Sequence, residues 1–317
     1  MFELLDWMPE QASQWAAQVD WINNLITNIS LVCLVLITGT MLFFAIKYRR
    51  RSDIAGKPIS GEFITHNAGL ETVWTVIPSL VCVAIFFIGF RSYRETRLPP
   101  SNAMEIRVNA YSWSWQFTYP NGKKSNNELV VPLGKPIRLI MTSDKMIHSF
   151  FVPALRLKED VYAGNYSYIW FTADREGEYH VFCAEYCGKG HSKMSAKLKV
   201  VPQNSFDNFL LDRKTGEAPS LSPAEKGKRV YANMRCSECH SLDGSKQIGP
   251  SLKGLAVTKK RGLSDGTKVD VDDNYLRESI LNPVAKVVQG YKPEMPSFAE
   301  RLSEEEIADL IAYLKTL

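Results

Sequence analysis

A chain of 317 residues is longer than one small core needs and predicts two domains or more. The net charge of +4 is modest, and no basic run is interleaved with aromatics, so composition gives no case for a nucleic-acid partner. The mean hydropathy of −0.16 averages two strongly apolar stretches near the N-terminus with a polar remainder.

Residues 1–20 hold no short apolar core followed by a small-residue cleavage site, so no signal peptide is expected in the sequence as it stands. Trp7, Trp15 and Trp21 suit a membrane–water interface. No charge occurs from Trp21 to Ile46 or from Val73 to Phe90, and a span needs ~20 apolar residues. Helices are predicted over 22–47 and 71–92. Core helices of a soluble protein would be amphipathic, and these are not. The connecting loop carries Lys47, Arg49, Arg50, Arg51 and Lys57, whereas Glu3, Asp6, Glu10 and Asp20 precede the first span. The positive-inside rule then puts the loop in the cytoplasm and both ends outside, although Arg91, Arg94 and Arg97 run against it. Cys33 and Cys82, within the spans, read as small buried hydrophobes. Glu71 stands at the start of the second helix, where the helix dipole favours a carboxylate.

Beyond Pro99-Pro100 the pattern changes to short alternating strands, predicted at 105–119, 128–131, 137–142, 149–152, 166–172, 178–183 and 195–201. Many strands without a helical period predict an all-β sandwich. Tyr111, Trp113, Trp115 and Phe117 alternate, which places them on one face of the first strand and reads as core packing.

Cys183-Ala184-Glu185-Tyr186-Cys187, then Gly188-Lys189-Gly190-His191-Ser192-Lys193-Met194, joins the last two predicted strands. Two thiols, an imidazole and a thioether in one loop select copper or another thiophilic metal. The cysteine pair alone would read as a disulfide, and cysteines with a histidine as zinc. A further histidine has two sources on this side of the membrane. His180 sits in an alternating strand and reads as structural, and His148 sits at a loop-to-strand junction.

Residues 202–222 are polar, include Gly216 and Pro219, and read as a linker. A helical pattern from Pro223 runs into Cys236-Ser237-Glu238-Cys239-His240, a c-type haem attachment motif. Cys236 and Cys239 would bond the haem covalently, and His240 would be the proximal iron ligand. Met295 is the only methionine after the motif, and Met234 is too close to the cysteines to reach the opposite haem face, so Met295 is the expected distal ligand. Ser303 and Glu306 form a capping-box pattern at the start of a final helix over 303–317.

The spacing Cys-x-Glu-x-Cys-x-x-x-His-x-x-Met resembles, at every liganding position, the dinuclear copper A (CuA) loop of cytochrome c oxidase subunit II. Glu71-Thr72-Val73-Trp74-Thr75 is similar to the second helix of that family, and Trp113-Ser114-Trp115 to its aromatic strand. Ile248-Gly249-Pro250-Ser251-Leu252 resembles the class I cytochrome c segment that packs on the proximal histidine. Residues 21–201 thus look like subunit II and 223–317 like a fused class I cytochrome c, the combination found in bacterial caa-type oxidases.

The resemblance implies a membrane-anchored, multidomain chain: an N-terminal segment and transmembrane hairpin over 1–98, a cupredoxin-like Greek-key CuA domain over 99–201, the linker over 202–222, and an all-α cytochrome c domain over 223–317. It implies copper ligation by His148, Cys183, the Glu185 carbonyl, Cys187, His191 and Met194. It further implies magnesium on the Glu185 carboxylate at the subunit I interface, a proton-pathway entrance at Glu71, and electron arrival near copper through Trp113. The implied activity is proton-translocating oxidation of cytochrome c with O2 as acceptor, with the oxygen chemistry in a partner subunit. The implied partners are subunit I with haem A and copper B, subunit III, membrane lipid, and soluble cytochrome c or another periplasmic donor. Haem c is attached outside the cytoplasm, so both soluble domains would lie on the outer face of a bacterial inner membrane, in agreement with the charge count. A copper-A-containing nitric oxide reductase and a stand-alone anchored electron carrier are the competing readings.

Overall fold

The structure is a computed structural model and describes residues 8–49, 66–211 and 221–317. Trp7, Arg50, Arg51 and Lys57 lie outside them.

The two apolar stretches form helices α1 (Ala16–Lys47) and α2 (Ala68–Arg97), both long and apolar enough to cross a membrane. Each is longer than predicted, because charged turns extend the helix past the apolar stretch. Asn67 caps α2 by accepting from the Leu70 N–H at 3.0 Å, and the Glu71 carboxylate accepts from the Asn67 N–H at 3.0 Å. Cys33 and Cys82, within the spans, lie on the outward faces of the helices. The basic residues that opposed the orientation rule are partly neutralised: Arg91 pairs with Glu95 at 3.3 Å and Arg97 with Glu159 at 2.8 Å.

The segment before α1 is laced to the β domain. The Ala12 N–H donates to the Ala154 carbonyl at 3.0 Å and the Ser13 hydroxyl to the Leu155 carbonyl at 2.9 Å. Trp15 packs edge-on against Trp170 at 5.1 Å instead of meeting the membrane interface, whereas Trp21 is exposed.

The central domain is a sandwich of two five-stranded sheets. The first sheet holds β1 (Met104–Tyr111), β2 (Ser114–Thr118), β3 (Lys124–Asn126), β5 (Pro136–Ser143) and β8 (Ser167–Thr172). The second holds β4 (Glu128–Pro132), β6 (His148–Val152), β7 (Leu157–Val161), β9 (Gly177–Cys183) and β10 (Ser195–Val201). Strands β1 and β5, and likewise β4 and β10, pair in parallel, and the remaining neighbours are antiparallel. Alternation works as the pleat requires: Ile137, Leu139 and Met141 of β5 point into the core with Ile106, Phe150 and Leu198.

The predicted strand 105–119 is in fact a hairpin that turns at Ser112 and Trp113. Trp115 and Phe117 are core residues, but Trp113 sits in the turn and is only half-buried. The linker prediction also needs correction over its first half. Gln203–Leu210 is a helix (α3) whose Phe206 and Phe209 pack on Tyr119 at 6.1 and 5.2 Å. Residues 212–220 lie outside the described residues.

The C-terminal domain is helical, with α4 (Pro223–Asn233), α5 (Asp273–Leu281) and α6 (Glu304–Leu314). Ser222 with Glu225 and Ser303 with Glu306 form capping boxes on α4 and α6. These two helices cross at Gly227, where an added β-carbon would stand 1.9 Å from the Asp309 carbonyl oxygen. Tyr231 and Tyr313 pack beside the crossing at 5.4 Å.

Candidate metal and haem centres

Strand β9 ends at Cys183, and the chain then loops over the end of the sandwich before β10 begins at Ser195. Strand β6 starts at His148 beneath that loop. Topology therefore delivers a histidine from one strand and soft donors from the β9–β10 loop to a single point. His148, Cys183 and Cys187 bring ligand atoms within 4.8 Å of one another, and all three are buried. The Cys183 and Cys187 sulfurs are 3.7 Å apart. His148 Nδ1 is 3.8 Å from Cys183 Sγ, and His191 Nδ1 is 3.6 Å from Cys187 Sγ. Met194 Sδ closes the group 3.8 Å from Cys187, and the Glu185 carbonyl lies 3.2 Å from Cys183 Sγ. All six predicted copper ligands thus converge. His180 is exposed on β9, stacked on Phe182 at 5.6 Å, and takes no part.

The donor set fits a thiophilic metal. Both imidazoles aim Nδ1 at a cysteine sulfur, and the buried His148 Nε2 has no hydrogen-bond partner. The sulfurs are too far apart for a disulfide, which needs about 2.05 Å. A hydrogen bond from Cys187 holds the Cys183 thiol well below its usual range against the opposing effect of burial, and the same bond pushes Cys187 up. Two buried cysteine sulfurs this close, with imidazole and thioether beside them, make a soft donor set suited to a cation.

Trp113 covers this loop from the β1–β2 turn, its indole N–H donating to the Cys187 carbonyl at 2.9 Å. The Glu185 side chain is half-buried. Its charge adds to those of Asp160 and Glu159 in pushing the Tyr162 phenol up, with Asp160 the largest cause and desolvation the second. Glu71 is exposed at the start of α2, remote in sequence from this centre and engaged with the Asn67 backbone.

In the C-terminal domain, Cys236, Cys239, His240 and Met295 all line a mainly apolar cavity, with Leu276, Ile280, Leu302 and Leu310 among its walls. His240 Nδ1–H donates to the Pro250 carbonyl at 2.8 Å, which fixes the tautomer and turns Nε2 to the cavity. Burial lowers the His240 pKa against the opposing effect of that bond, in the direction that ligation requires. Burial also pushes the Cys236 thiol up to about 12. These residues suit a haem attached by two thioethers and held between His240 and Met295. The cavity does not close within its own domain, for Ser112, Trp113 and Gly190 of the copper-loop end line its mouth. Nothing in motif spacing signals that juxtaposition.

Comparison with known proteins agrees with both centres. Residues 3–93 match the family "Cytochrome C oxidase subunit II, transmembrane domain", 122–201 "Cytochrome C oxidase subunit II, periplasmic domain", and 224–317 "Cytochrome c". Cytochrome c oxidase subunit 2 of Alkalihalophilus pseudofirmus is 30% identical over 314 residues, covering 95% of this chain and 88% of that protein. The Synechocystis protein of the same name is 27% identical over 301 residues, covering 80% and 88%. The crystal structure of the periplasmic domain of Bradyrhizobium japonicum subunit II covers 38% of this chain and 100% of its own, at 30% identity and a TM-score of 0.35. Taken with a thiolate loop and a haem motif in their predicted settings, the near full-length match shows that this chain belongs to the cytochrome c oxidase subunit II family, in a form that carries a cytochrome c domain.

Proposed function

We propose that this chain is the electron-accepting subunit of a caa-type oxidase, taking electrons from a soluble periplasmic donor at its haem domain and handing them to the copper loop and on to haem A in subunit I. There O2 would be reduced to water at copper B, with proton translocation. The observation that carries this reading is the haem cavity opening onto Trp113, whose indole is bonded to the Cys187 carbonyl.

When bound, a haem held by Cys236, Cys239, His240 and Met295 and copper held by the thiol loop would supply reversible one-electron chemistry. The chain's own residues fix their surroundings. Cys236 and Cys239 would anchor the haem, and His240, oriented by Pro250, and Met295 would hold its iron. His148, Cys183, Glu185, Cys187, His191 and Met194 would hold the copper pair in a buried pocket that excludes water. A magnesium ion on the Glu185 carboxylate, a hard oxygen ligand suited to that ion, belongs to the same proposal. Glu71 would receive protons at the cytoplasmic mouth of α2. Tethering raises the local donor concentration to roughly millimolar for short flexible linkers.

Membership of this family implies a subunit I partner. Subunit III and an inner-membrane setting with both soluble domains on the periplasmic face complete the proposal. Haem typing of the complex purified through this chain tests it. Haem A beside haem C is expected. Haem B with haem C and no haem A would point to a nitric oxide reductase, and haem C without a polytopic partner to a stand-alone carrier.

A further inference from the structure

The copper loop carries Lys189 between Cys187 and His191, and Lys193 between His191 and Met194. Neither lysine touches the donor atoms of its own loop. Lys189 Nζ meets both carboxylate oxygens of Glu294, at 2.7 and 2.8 Å, and Glu294 immediately precedes Met295. Lys193 Nζ meets Glu238 at 2.5 Å, and Glu238 lies between Cys236 and Cys239. Each cation inside one ligand spacing is therefore matched by an anion inside the other.

Arg301 of the haem domain fills the ground between the pairs. It is 7% exposed, lies 4.4 Å over the Tyr111 ring and points Nη1 at the Ser112 carbonyl, 3.4 Å away. Asn127 donates to the Asn233 carbonyl at 2.6 Å and Arg235 to the Ser195 carbonyl at 2.9 Å, both across the same seam. The contacts are polar and directional, the character of an interface that can form and part. Exposed ion pairs contribute little to stability, so their effect lies in register and in choice of partner.

We propose that the rim of the copper loop is a docking surface keyed to this chain's own haem domain, with Lys189 and Lys193 as specificity determinants that pair with Glu294 and Glu238 at its haem edge and repel a donor that presents basic side chains at those two points. Like charges set against an unwanted partner discriminate as strongly as complementary ones set towards the right one. The inference rests on the electron route proposed above and adds which donor the copper loop admits.

The test uses the full chain within its purified complex. Zero-length carbodiimide coupling joins only carboxylates and amines in contact, and peptide mapping should find Lys189 linked to Glu294 and Lys193 to Glu238, at a yield that falls with added salt. Separately, the pair Glu238→Lys and Glu294→Lys should slow single-turnover transfer from haem c to copper by about ten-fold, as expected when close interfacial pairs become repulsive. Adding Lys189→Glu and Lys193→Glu should restore it. The two lysine reversals alone should let a lysine-rich mitochondrial-type cytochrome c reduce copper directly. Missing cross-links, or an unchanged transfer rate in the acidic-residue reversal with haem and copper absorption intact, would overturn the proposal. If that reversal loses either absorption band, the cross-link in the unaltered chain decides. Copper that is never reduced by haem c in the unaltered complex would instead sink the electron route itself.

Discussion

Gly190 lies so close beneath Trp113 that a β-carbon built there would stand 2.3 Å from the indole Cδ2. The glycine that lets the copper loop turn also gives the tryptophan its bed. Gly190→Ala must displace either the ring or the loop holding His191, since so short a contact cannot be absorbed in place. The expected result is a weakened or altered copper absorption spectrum, with haem absorption unchanged. Trp113→Phe separates the two effects. It keeps a ring over the loop, loses the bond to the Cys187 carbonyl, and should retain the copper spectrum while haem-to-copper transfer slows about ten-fold, the equivalent of one lost hydrogen bond.

A second close approach governs the haem. An added β-carbon at Gly249 would lie 2.6 Å from His240 Cε1, against the ring that Pro250 orients. Gly249→Ala should push the imidazole off its axis. The absorption spectrum should then show a mixed or high-spin haem in place of a uniform low-spin one, with the thioether attachment intact on a denaturing gel stained for haem.

The Cys183 and Cys187 sulfurs lie 3.7 Å apart, and the hydrogen bond from Cys187 lowers the Cys183 pKa. The copper-depleted chain should oxidise in air to a Cys183–Cys187 disulfide, with molecular oxygen taking the two electrons. Thiol titration before and after exposure measures the loss. Copper should fail to rebind until a dithiol is added, and full rebinding without reductant would contradict this.

Arg156 and Asp20 form a 2.7 Å ion pair whose side chains are only 6% and 14% exposed, and Arg156 also donates to the Pro9 carbonyl at 2.6 Å. Truncating one member strands the other charge. Arg156→Ala should lower the stability of the β domain by roughly 3 kcal/mol, read from denaturant unfolding of the detergent-solubilised chain.

On α4, Glu225 accepts from the Ser222 N–H and hydroxyl, and those bonds hold its carboxyl below the usual range. A depressed folded pKa contributes stability that is present above the unfolded value, near 4.5, and is lost as pH falls through the folded one. Glu225→Gln should therefore lower haem-domain stability slightly at neutral pH and flatten its acid limb, the two chains converging as pH falls through the folded value.

Both cofactor centres were legible because their chemistry is written in local spacing: thiols, imidazole and thioether within one loop, and a pentapeptide for haem. The spans and most strands were legible for a related reason, since burial imposes a period on any segment long enough to show one. Strand β3 was too short to show one. Strand β7 reads Leu-Lys-Glu-Asp-Val, with polar residues between its buried ends, and offers no alternation. Helix α3 was hidden by polar composition, with Phe206 and Phe209 its only strong anchors. The position of Trp113 was misjudged because an alternating run does not announce the hairpin that interrupts it. The meeting of Lys189 with Glu294 joins positions 105 residues apart, and no periodicity reports on that.

The two ends of the β domain are joined to their neighbours by different means. Below, Arg156 with Asp20, Ser13 with Leu155 and Arg97 with Glu159 fasten both apolar helices to the sandwich at several separate points. Above, the haem domain meets it mostly through polar contacts. The copper pair is thus mounted like an instrument on a fixed pedestal, at a height and tilt decided by how the helices seat in the bilayer. Any rocking would fall to the haem domain, which meets the sandwich mostly through polar contacts.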